Sequence, residues 1–176
     1  MKKFIFCLSL VSSSIMTTET VLAANATGTL TVKATITASC AVNTNATGTT
    51  TNAVLDFGTQ NSFAANVDAN TSSTGGTKIG VLCNNGTSWT LTADGGKNAA
   101  ASQRNMIGGT AGTELIPYNL YSDSKYATAI NVGGTVQAGS GTGALQSYDI
   151  YGRIPAGTQL PSVGTYLDTV QLTVTY

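Results

Sequence analysis

The residues that could carry out chemistry are few in this sequence and lie far apart. The chain of 176 residues contains no histidine, so pairs in which histidine activates a serine or cysteine nucleophile are excluded. The carboxylates occur singly, whereas a glycosidase needs two that face each other across a cleft. We therefore predict no catalytic site, no cofactor and no phosphate-binding loop. The carboxylates that follow the predicted leader peptide are Asp56, Asp68, Asp94, Glu114, Asp123, Asp149 and Asp168.

Two of the three cysteines are expected to form a disulfide bond. Cys7 lies within the predicted leader, which leaves Cys40 and Cys83 as an even pair in an exported chain. Closing the loop between them would stabilise the fold by about 4 kcal/mol in the chain-entropy model. A zinc site is the alternative, but two cysteines without a histidine do not supply an ordinary set of zinc ligands. We predict the disulfide bond and no metal site.

Residues 1–23 have the features of a bacterial secretory signal peptide. Lys2 and Lys3 precede a short apolar run, and Val21-Leu22-Ala23 suits cleavage after Ala23. A membrane anchor is the weaker interpretation, because a spanning helix needs ~20 apolar residues. We expect export through the periplasm. Without Lys2, Lys3 and Glu19 the net charge is about −1, which excludes the basic field that nucleic-acid binding requires.

The elements that must position these residues are predicted to be β-strands, because apolar and polar residues alternate along most of the chain. The stretch TGTLTVKATITASCAV alternates over about fourteen residues, which is longer than a usual strand. Two consecutive strand units with different partners explain this length better than one strand. Further strands are predicted in residues 53–58, 77–84, 88–93, 115–123, 147–154 and 169–176.

Stretches rich in glycine, threonine and asparagine separate the predicted strands and are interpreted as loops. They include residues 43–52, 69–77 and 132–143, and a helical turn is expected within 99–104. Pro117 is expected to place its strand near an edge or a bulge. Trp89 alternates in phase with Leu91, so we predict a core residue rather than a sugar-stacking platform. Six or seven short strands and a disulfide favour one antiparallel β-sandwich of immunoglobulin-like type.

Two stretches of the second half resemble the spore coat protein U domain family, which includes the subunits of Csu-type archaic chaperone–usher pili. They are IPYNLYSDSKYATAI and the C-terminal YDIYGRIPAGTQLPSVGTYLDTVQLTVTY. The resemblance extends to GTLTVKATITASCAV, DFG and GVLCNNG, and so covers nearly all of the chain after the leader. One departure is Ala129-Ile130, where many members have a tryptophan.

The resemblance implies both a fold and a mode of assembly. The fold would be all-β, an incomplete immunoglobulin-like antiparallel sandwich completed by a donor strand. The partners would be identical or related pilin subunits in a head-to-tail polymer, a periplasmic chaperone and an outer-membrane usher. The chain would then be a structural subunit of an extracellular, cell-surface fimbrium that supports attachment and biofilm formation.

The same resemblance assigns roles to the two ends of the chain. Residues 24–36 would be the donor segment and residues 37–176 the sandwich domain, which lacks residues for a closing strand after Tyr176. The apolar residues of the donor segment are Leu30, Val32, Ala34 and Ile36, and those of the acceptor edge are Val170, Leu172, Val174 and Tyr176.

A second function class is compatible with the same pattern. The chain could be a self-contained secreted sandwich that binds carbohydrate or a surface, with its N-terminal strand folded into its own groove. An enzyme would need a polar cleft that gathers at least two of the scattered carboxylates. A stable monomer without any chaperone would favour the binding module over the pilus subunit.

Overall fold

The computed structural model describes residues 25–43, 52–73 and 75–176, and over these residues the protein is built from β-strands and loops without a helix. No helix in this part of the chain is long and apolar enough to cross a membrane. The predicted signal peptide lies outside the described residues, as does most of the predicted loop at 43–52. The chain divides into two units at Thr35–Ile36. In the first unit, residues 25–35 have no regular secondary structure, and the second unit contains every described strand.

Eleven strands are described in the second unit, and every pairing between them is antiparallel. They form sheets with the strand orders β1-β3-β8, β10-β5-β6-β9-β2 and β11-β4-β7. The strands are β1 (Cys40–Val42), β2 (Val67–Asn70), β3 (Ile79–Cys83), β4 (Ser88–Ala93), β5 (Arg104–Gly108), β6 (Glu114–Tyr121), β7 (Gly134–Ser140), β8 (Leu145–Tyr148), β9 (Tyr151–Ile154), β10 (Tyr166–Leu167) and β11 (Leu172–Thr175).

The core is formed by the inward-facing residues of strands whose sequences alternate. In β4 the residues Trp89, Leu91 and Ala93 are buried, and the residues between them are partly exposed. Trp89 is 3% exposed and packs against Tyr148 of β8 with ring centroids 5.6 Å apart. This contact joins the sheet of β4 to the sheet of β8, so the prediction of a core tryptophan in a sandwich is confirmed. The other buried core side chains include Phe63, Ile79, Val81, Cys83, Ile116, Tyr118, Leu120, Ile130, Val136, Ile150 and Ile154.

Several sequence predictions of local structure were wrong. The supposed loop at 132–143 contains β7, and the supposed strand at 53–58 forms only an isolated bridge between Val54 and Thr77. The predicted strand at 147–154 is two strands, because the backbone leaves the ladder at Asp149-Ile150. The helical turn predicted at 99–104 is absent, and Ala101 has a positive φ of 52° instead. The strands β2, β5 and β10 were not predicted.

The first body strand is shorter than the alternation suggests. Regular pairing begins at Cys40, although alternation had placed the start of the strand near Thr37. Alternation alone does not create a strand, because a strand needs a partner for its backbone groups. The structure gives residues 25–39 no such partner in the form of a described strand.

Candidate functional site

The free edge of β11 is the first feature of the candidate site. β11 pairs with β4 from Leu172 opposite Ala93 to Thr175 opposite Thr90. No described strand pairs with its other edge, since β11 is the last strand of its sheet. The side chains of Leu172 and Val174 face the core and are half-buried, and the threonines between them are exposed. β11 therefore offers unpaired backbone groups beside an incompletely covered apolar surface.

The free edge of β1 forms the second side of the site. β1 pairs with β3, with Cys40 opposite Cys83 and Val42 opposite Val81, and it is also the last strand of its sheet. Residues of β1 and β11 approach within 8 Å between Cα atoms, yet these strands share no ladder in the described structure. We name the region between the two free edges the open margin. Its half-buried apolar side chains are Cys40, Val42, Val170, Leu172 and Val174.

The predicted acceptor residues divide between two environments. Val170, Leu172 and Val174 pack against the core at the open margin. Tyr176 lies beyond the end of β11 and is 58% exposed. Because Tyr176 alternates in phase with Val174, it had been predicted to lie at the acceptor edge as Val174 does.

The predicted donor residues lie in the first unit and its junction with the second. Leu30, Val32 and Ile36 have exposed fractions of 87%, 83% and 78%, and Ala34 is also exposed. Isolated exposed apolar residues are ordinary on soluble proteins, but a period-two series of them is not. The segment therefore presents a series of exposed apolar side chains.

The predicted disulfide bond is confirmed. Cys40 and Cys83 are bonded, with their Cα atoms 4.1 Å apart. The bond joins β1 to the buried strand β3 at a directly opposed pair. Since β1 has only three residues, this bond is a large part of what fixes one side of the open margin.

A buried arginine at the start of β5 was not anticipated from the sequence. Arg104 is 4% exposed, and its guanidinium donates hydrogen bonds of 2.5–3.1 Å to backbone carbonyls only. Burial lowers the pKa of Arg104, and the nearby Tyr118, Asp94 and Asp168 oppose this effect. The carbonyls belong to Ala93, Asp94, Ile130 and Asn131, so the side chain joins the end of β4 to the loop before β7.

Asp168 lies beside this arginine, between β10 and β11. Its carboxylate accepts hydrogen bonds from the Tyr118 hydroxyl at 2.7 Å, the Lys97 backbone N–H at 2.9 Å and the Asn98 amide at 3.0 Å. Burial raises the pKa of Tyr118, and its hydrogen bond to Asp168 raises it further. Gly96 permits this approach, because a Cβ atom there would lie 2.0 Å from an Asp168 oxygen. The partners of Asp168 are therefore 50 to 71 residues away in the sequence.

Three other carboxylates also have structural partners. Asp123 accepts hydrogen bonds from the backbone N–H groups of Lys125 and Thr128. These backbone bonds, chiefly that of Thr128, lower the pKa of Asp123. Asp149 lies 3.0 Å from the Lys78 ammonium, and Asp68 binds Arg153. Within the described ranges, no three acidic, cysteine or histidine side chains are grouped as metal ligands would be.

Comparison with known proteins places the chain in a family. The family model of the Spore Coat Protein U domain matches residues 26–173. Protein U of Myxococcus xanthus is 31% identical over an alignment of 161 residues that covers 88% of this chain and 87% of that protein. The family-model match includes β1, the first residues of β11 and all but the first residue of the 25–39 segment.

The fold is similar to that of a solved structure. One chain of the CsuC–CsuE chaperone-tip adhesion subunit pre-assembly complex, from the archaic chaperone-usher Csu pili of Acinetobacter baumannii, aligns with a TM-score of 0.51 at 19% identity. The alignment covers 81% of the present chain and 40% of that chain, so this chain spans less than half the length of the one it matches. The likeness agrees with the predicted fold class, an all-β sandwich of antiparallel sheets. Because the family model covers most of the sequence and Protein U is matched along nearly its whole length, the chain belongs to the Spore Coat Protein U domain family.

Proposed function

We propose that the protein is a structural subunit of a surface pilus that assembles by donor-strand complementation. One observation supports this most directly, namely that the chain carries two complementary surfaces. Exposed apolar residues alternate along residues 30–36, and the open margin exposes an unpaired strand edge with half-buried apolar side chains. In the proposed assembly, the donor segment of one copy becomes an added strand at the β11 edge of the next copy. Its apolar side chains would then cover Val170, Leu172 and Val174.

The energetics favour such an addition. Burying a Leu, Val or Ile side chain contributes about 1.5–3 kcal/mol, so Leu30, Val32 and Ile36 would contribute roughly 5–9 kcal/mol before the cost of ordering the segment. Backbone hydrogen bonds along the new strand would add to this. An uncovered edge beside apolar side chains is an aggregation hazard, which is why such a subunit requires a partner strand.

The direction of the contact explains a fibre. The donor segment and the open margin are different surfaces of the same chain, so the contact is heterologous and does not close on itself. We propose that a periplasmic chaperone covers the open margin before assembly and that an outer-membrane usher exports the growing polymer. The matched crystal structure contains a chaperone bound to a pilus subunit before assembly, which supports this route. Attachment and biofilm formation are the proposed roles of the finished pilus.

The proposal is tested with the secreted chain and a variant lacking residues 24–36. We expect the full mature chain to form ladders of oligomers that withstand cold detergent and disappear on heating. The shortened variant should form none, yet should bind a peptide of residues 25–39 and unfold at a higher temperature with it. A peptide in which Val32 is replaced by Asp is the matched control and should have no effect.

A different result would contradict the proposal. If the full chain is monomeric, does not bind the peptide and has the same melting temperature as the peptide-bound shortened variant, the open margin is closed by its own N-terminal strand. That outcome is the one expected of a self-contained binding module.

A further inference from the structure

An exposed apolar patch lies on the second unit, on strands β5, β6 and β10 and the loop before β10. Leu167 of β10 lies opposite Ile107 of β5, and Ile107 lies opposite Leu115 of β6, so all three project from the same face of one sheet. Their exposed fractions are 68%, 37% and 45%, and those of Leu160 and Val163 in the preceding loop are 53% and 88%. These five residues, here named the end patch, are most of the exposed large apolar side chains described in residues 40–176.

The strands and the loop that carry the end patch contain few charged residues. Glu114 is the only charged residue within 105–117, and 155–167 contain none. The Glu114 carboxylate is itself occupied, because it accepts hydrogen bonds of 3.0 Å from the Ser162 backbone N–H and from the Tyr166 hydroxyl. The adjacent strand β10 is the last strand of its sheet. Exposed edges and apolar patches are normally protected by charge or by a covering element, so this surface indicates a partner.

The register of the strands shows where the end patch lies. Tyr166 pairs with Gly108, and Thr175 pairs with Thr90. Between these strands the Asp94 and Lys97 N–H groups donate to the Gln171 and Thr169 carbonyls, so the chain continues along β4 and the residues after it. The nine steps from 166 to 175 span at most about 30 Å. The Ser39 carbonyl accepts a hydrogen bond of 3.1 Å from the Asn84 N–H, so β1 begins beside the turn that precedes β4. The end patch and the start of β1 are therefore at opposite ends of the body.

This placement restricts what can cover the patch if the proposed donor-strand assembly is correct. Residues 37–39 are the only ones between the donor segment and β1, and they span about 10 Å. The body of the donating copy must therefore lie within about 10 Å of the point where its segment leaves the acceptor. Every described pairing in this fold is antiparallel. If the added segment also runs antiparallel to β11, its residue 36 leaves the acceptor at the end opposite the acceptor's own Ser39, which is the end that carries the patch.

We propose that the end patch is a second contact between successive copies of this chain. It would receive the opposite end of the next copy, formed by the turn at 84–87 and by Tyr176. Tyr176 follows Thr175, which lies opposite Thr90, and its ring is 58% exposed. It thus offers an aromatic surface for the apolar patch. This proposal rests on the proposed function, because the donor segment is what brings these two ends together. The contact would fix the angle between neighbouring bodies.

Photocrosslinking of assembled polymers tests the contact. Two preparations of the chain are mixed before assembly, and one of them is isotopically labelled and carries benzoylphenylalanine in place of Leu167. The cross-linked peptides are then identified by mass spectrometry. We expect links from position 167 to residues 84–87 or 176 of a different copy. The same probe at Val132, which is 38% exposed and outside the patch, is the matched control and should give no such link.

A second variant separates the end patch from the donor strand. Replacing Leu115 by Thr should leave the oligomer ladders unchanged but lower the cross-link yield from position 167 by about tenfold, equivalent to about 1.4 kcal/mol. Val132→Thr should lower neither. Two results would refute the end-patch contact while the donor-strand proposal stands. In the first, ladders form but position 167 gives no links; in the second, ladders form but the links reach the end patch of another copy or a chaperone. If no ladders form, both proposals are refuted.

Discussion

Arg104 shows how a single buried charge can organise the loops of a β-protein. Its donors saturate carbonyls at the end of β4 and before β7, and Ile130, whose carbonyl it binds, is itself a core residue. Such carbonyls would otherwise be buried without partners, at a cost of about 1–3 kcal/mol each. The side chain therefore stabilises the backbone geometry from which β5 departs.

Removing this side chain should destabilise the body strongly. We predict that Arg104→Met lowers the free energy of unfolding by about 3–5 kcal/mol, because it leaves several carbonyls unsatisfied in the interior. Urea unfolding of the variant lacking residues 24–36, with bound donor peptide, would measure the change. Lys125→Met replaces an exposed cation and should change stability by less than about 0.5 kcal/mol. Equal effects of the two substitutions would contradict this role for Arg104.

The hydrogen bond between Tyr118 and Asp168 predicts a pH-dependent difference. The folded state raises the pKa of Tyr118 above its ordinary value of 10.0. Its contribution to stability is therefore complete below pH 10 and is lost as the pH rises above 10, because only the unfolded phenol then ionises. Tyr118→Phe should cost about 1.5–3 kcal/mol at pH 8. The deficit should shrink above pH 10, by at most about 1.4 kcal/mol per pH unit.

Urea unfolding of the wild type and of Tyr118→Phe at pH 8 and pH 11 would measure this difference. Tyr176→Phe alters an exposed ring and is the control, for which no such convergence is expected. A constant difference between wild type and Tyr118→Phe at the two pH values would contradict the role of the buried phenol.

At the scale of elements, alternation predicted the strands whose apolar residues reach the core. The interval 88–93 was predicted with the bounds that β4 has, because Trp89, Leu91 and Ala93 are all buried. The strand β7 was missed because its glycines suggested a loop. Gly139 is required for packing instead, since a Cβ atom there would lie 3.1 Å from the Trp89 ring. A single sequence does not separate these two reasons for a glycine.

Alternation also predicted part of the candidate site. The half-buried residues of β11 and of the segment just before it follow directly from the alternation of Val170, Leu172 and Val174. The Arg104 cluster was not predictable, because its partners are backbone carbonyls from two separate segments, residues 93–94 and 130–131. No side-chain pattern in the sequence records such partners.

The free edge of β11 gives a prediction about donor binding. Val174→Asp should weaken binding of the 25–39 peptide at least a hundredfold, about 2.7 kcal/mol, because a carboxylate would replace a half-buried apolar side chain at the open margin. Fluorescence anisotropy of a labelled peptide would measure the affinity. Thr173→Asp places the same charge on the exposed face of the same strand and should change the affinity little. Equal losses would show that the peptide does not occupy the inner face of the β11 edge.

At the scale of the whole molecule, one covalent bond connects the open margin to the core. The Cys40–Cys83 bond closes a loop with a sequence separation of 43, for which the chain-entropy model gives about 4 kcal/mol. Replacing both cysteines with serine should lower the free energy of unfolding by about 2–5 kcal/mol and weaken donor-peptide binding, because β1 loses its attachment. Urea unfolding with and without dithiothreitol would measure the loss. The reductant should destabilise the wild type and leave the double variant unchanged; sensitivity of the double variant would contradict this explanation.

The position of Cys40 also has a mechanical consequence for the proposed fibre. Tension carried by residues 25–39 enters the body at Cys40 and passes through the sulfur atoms into Cys83, a buried residue at the end of β3. Because the disulfide bond carries this force, the backbone hydrogen bonds of the three-residue strand β1 do not have to resist it. Single-molecule pulling on the oxidised chain should not detach β1 from β3 before the body ruptures, whereas the reduced chain should release the strand at low force.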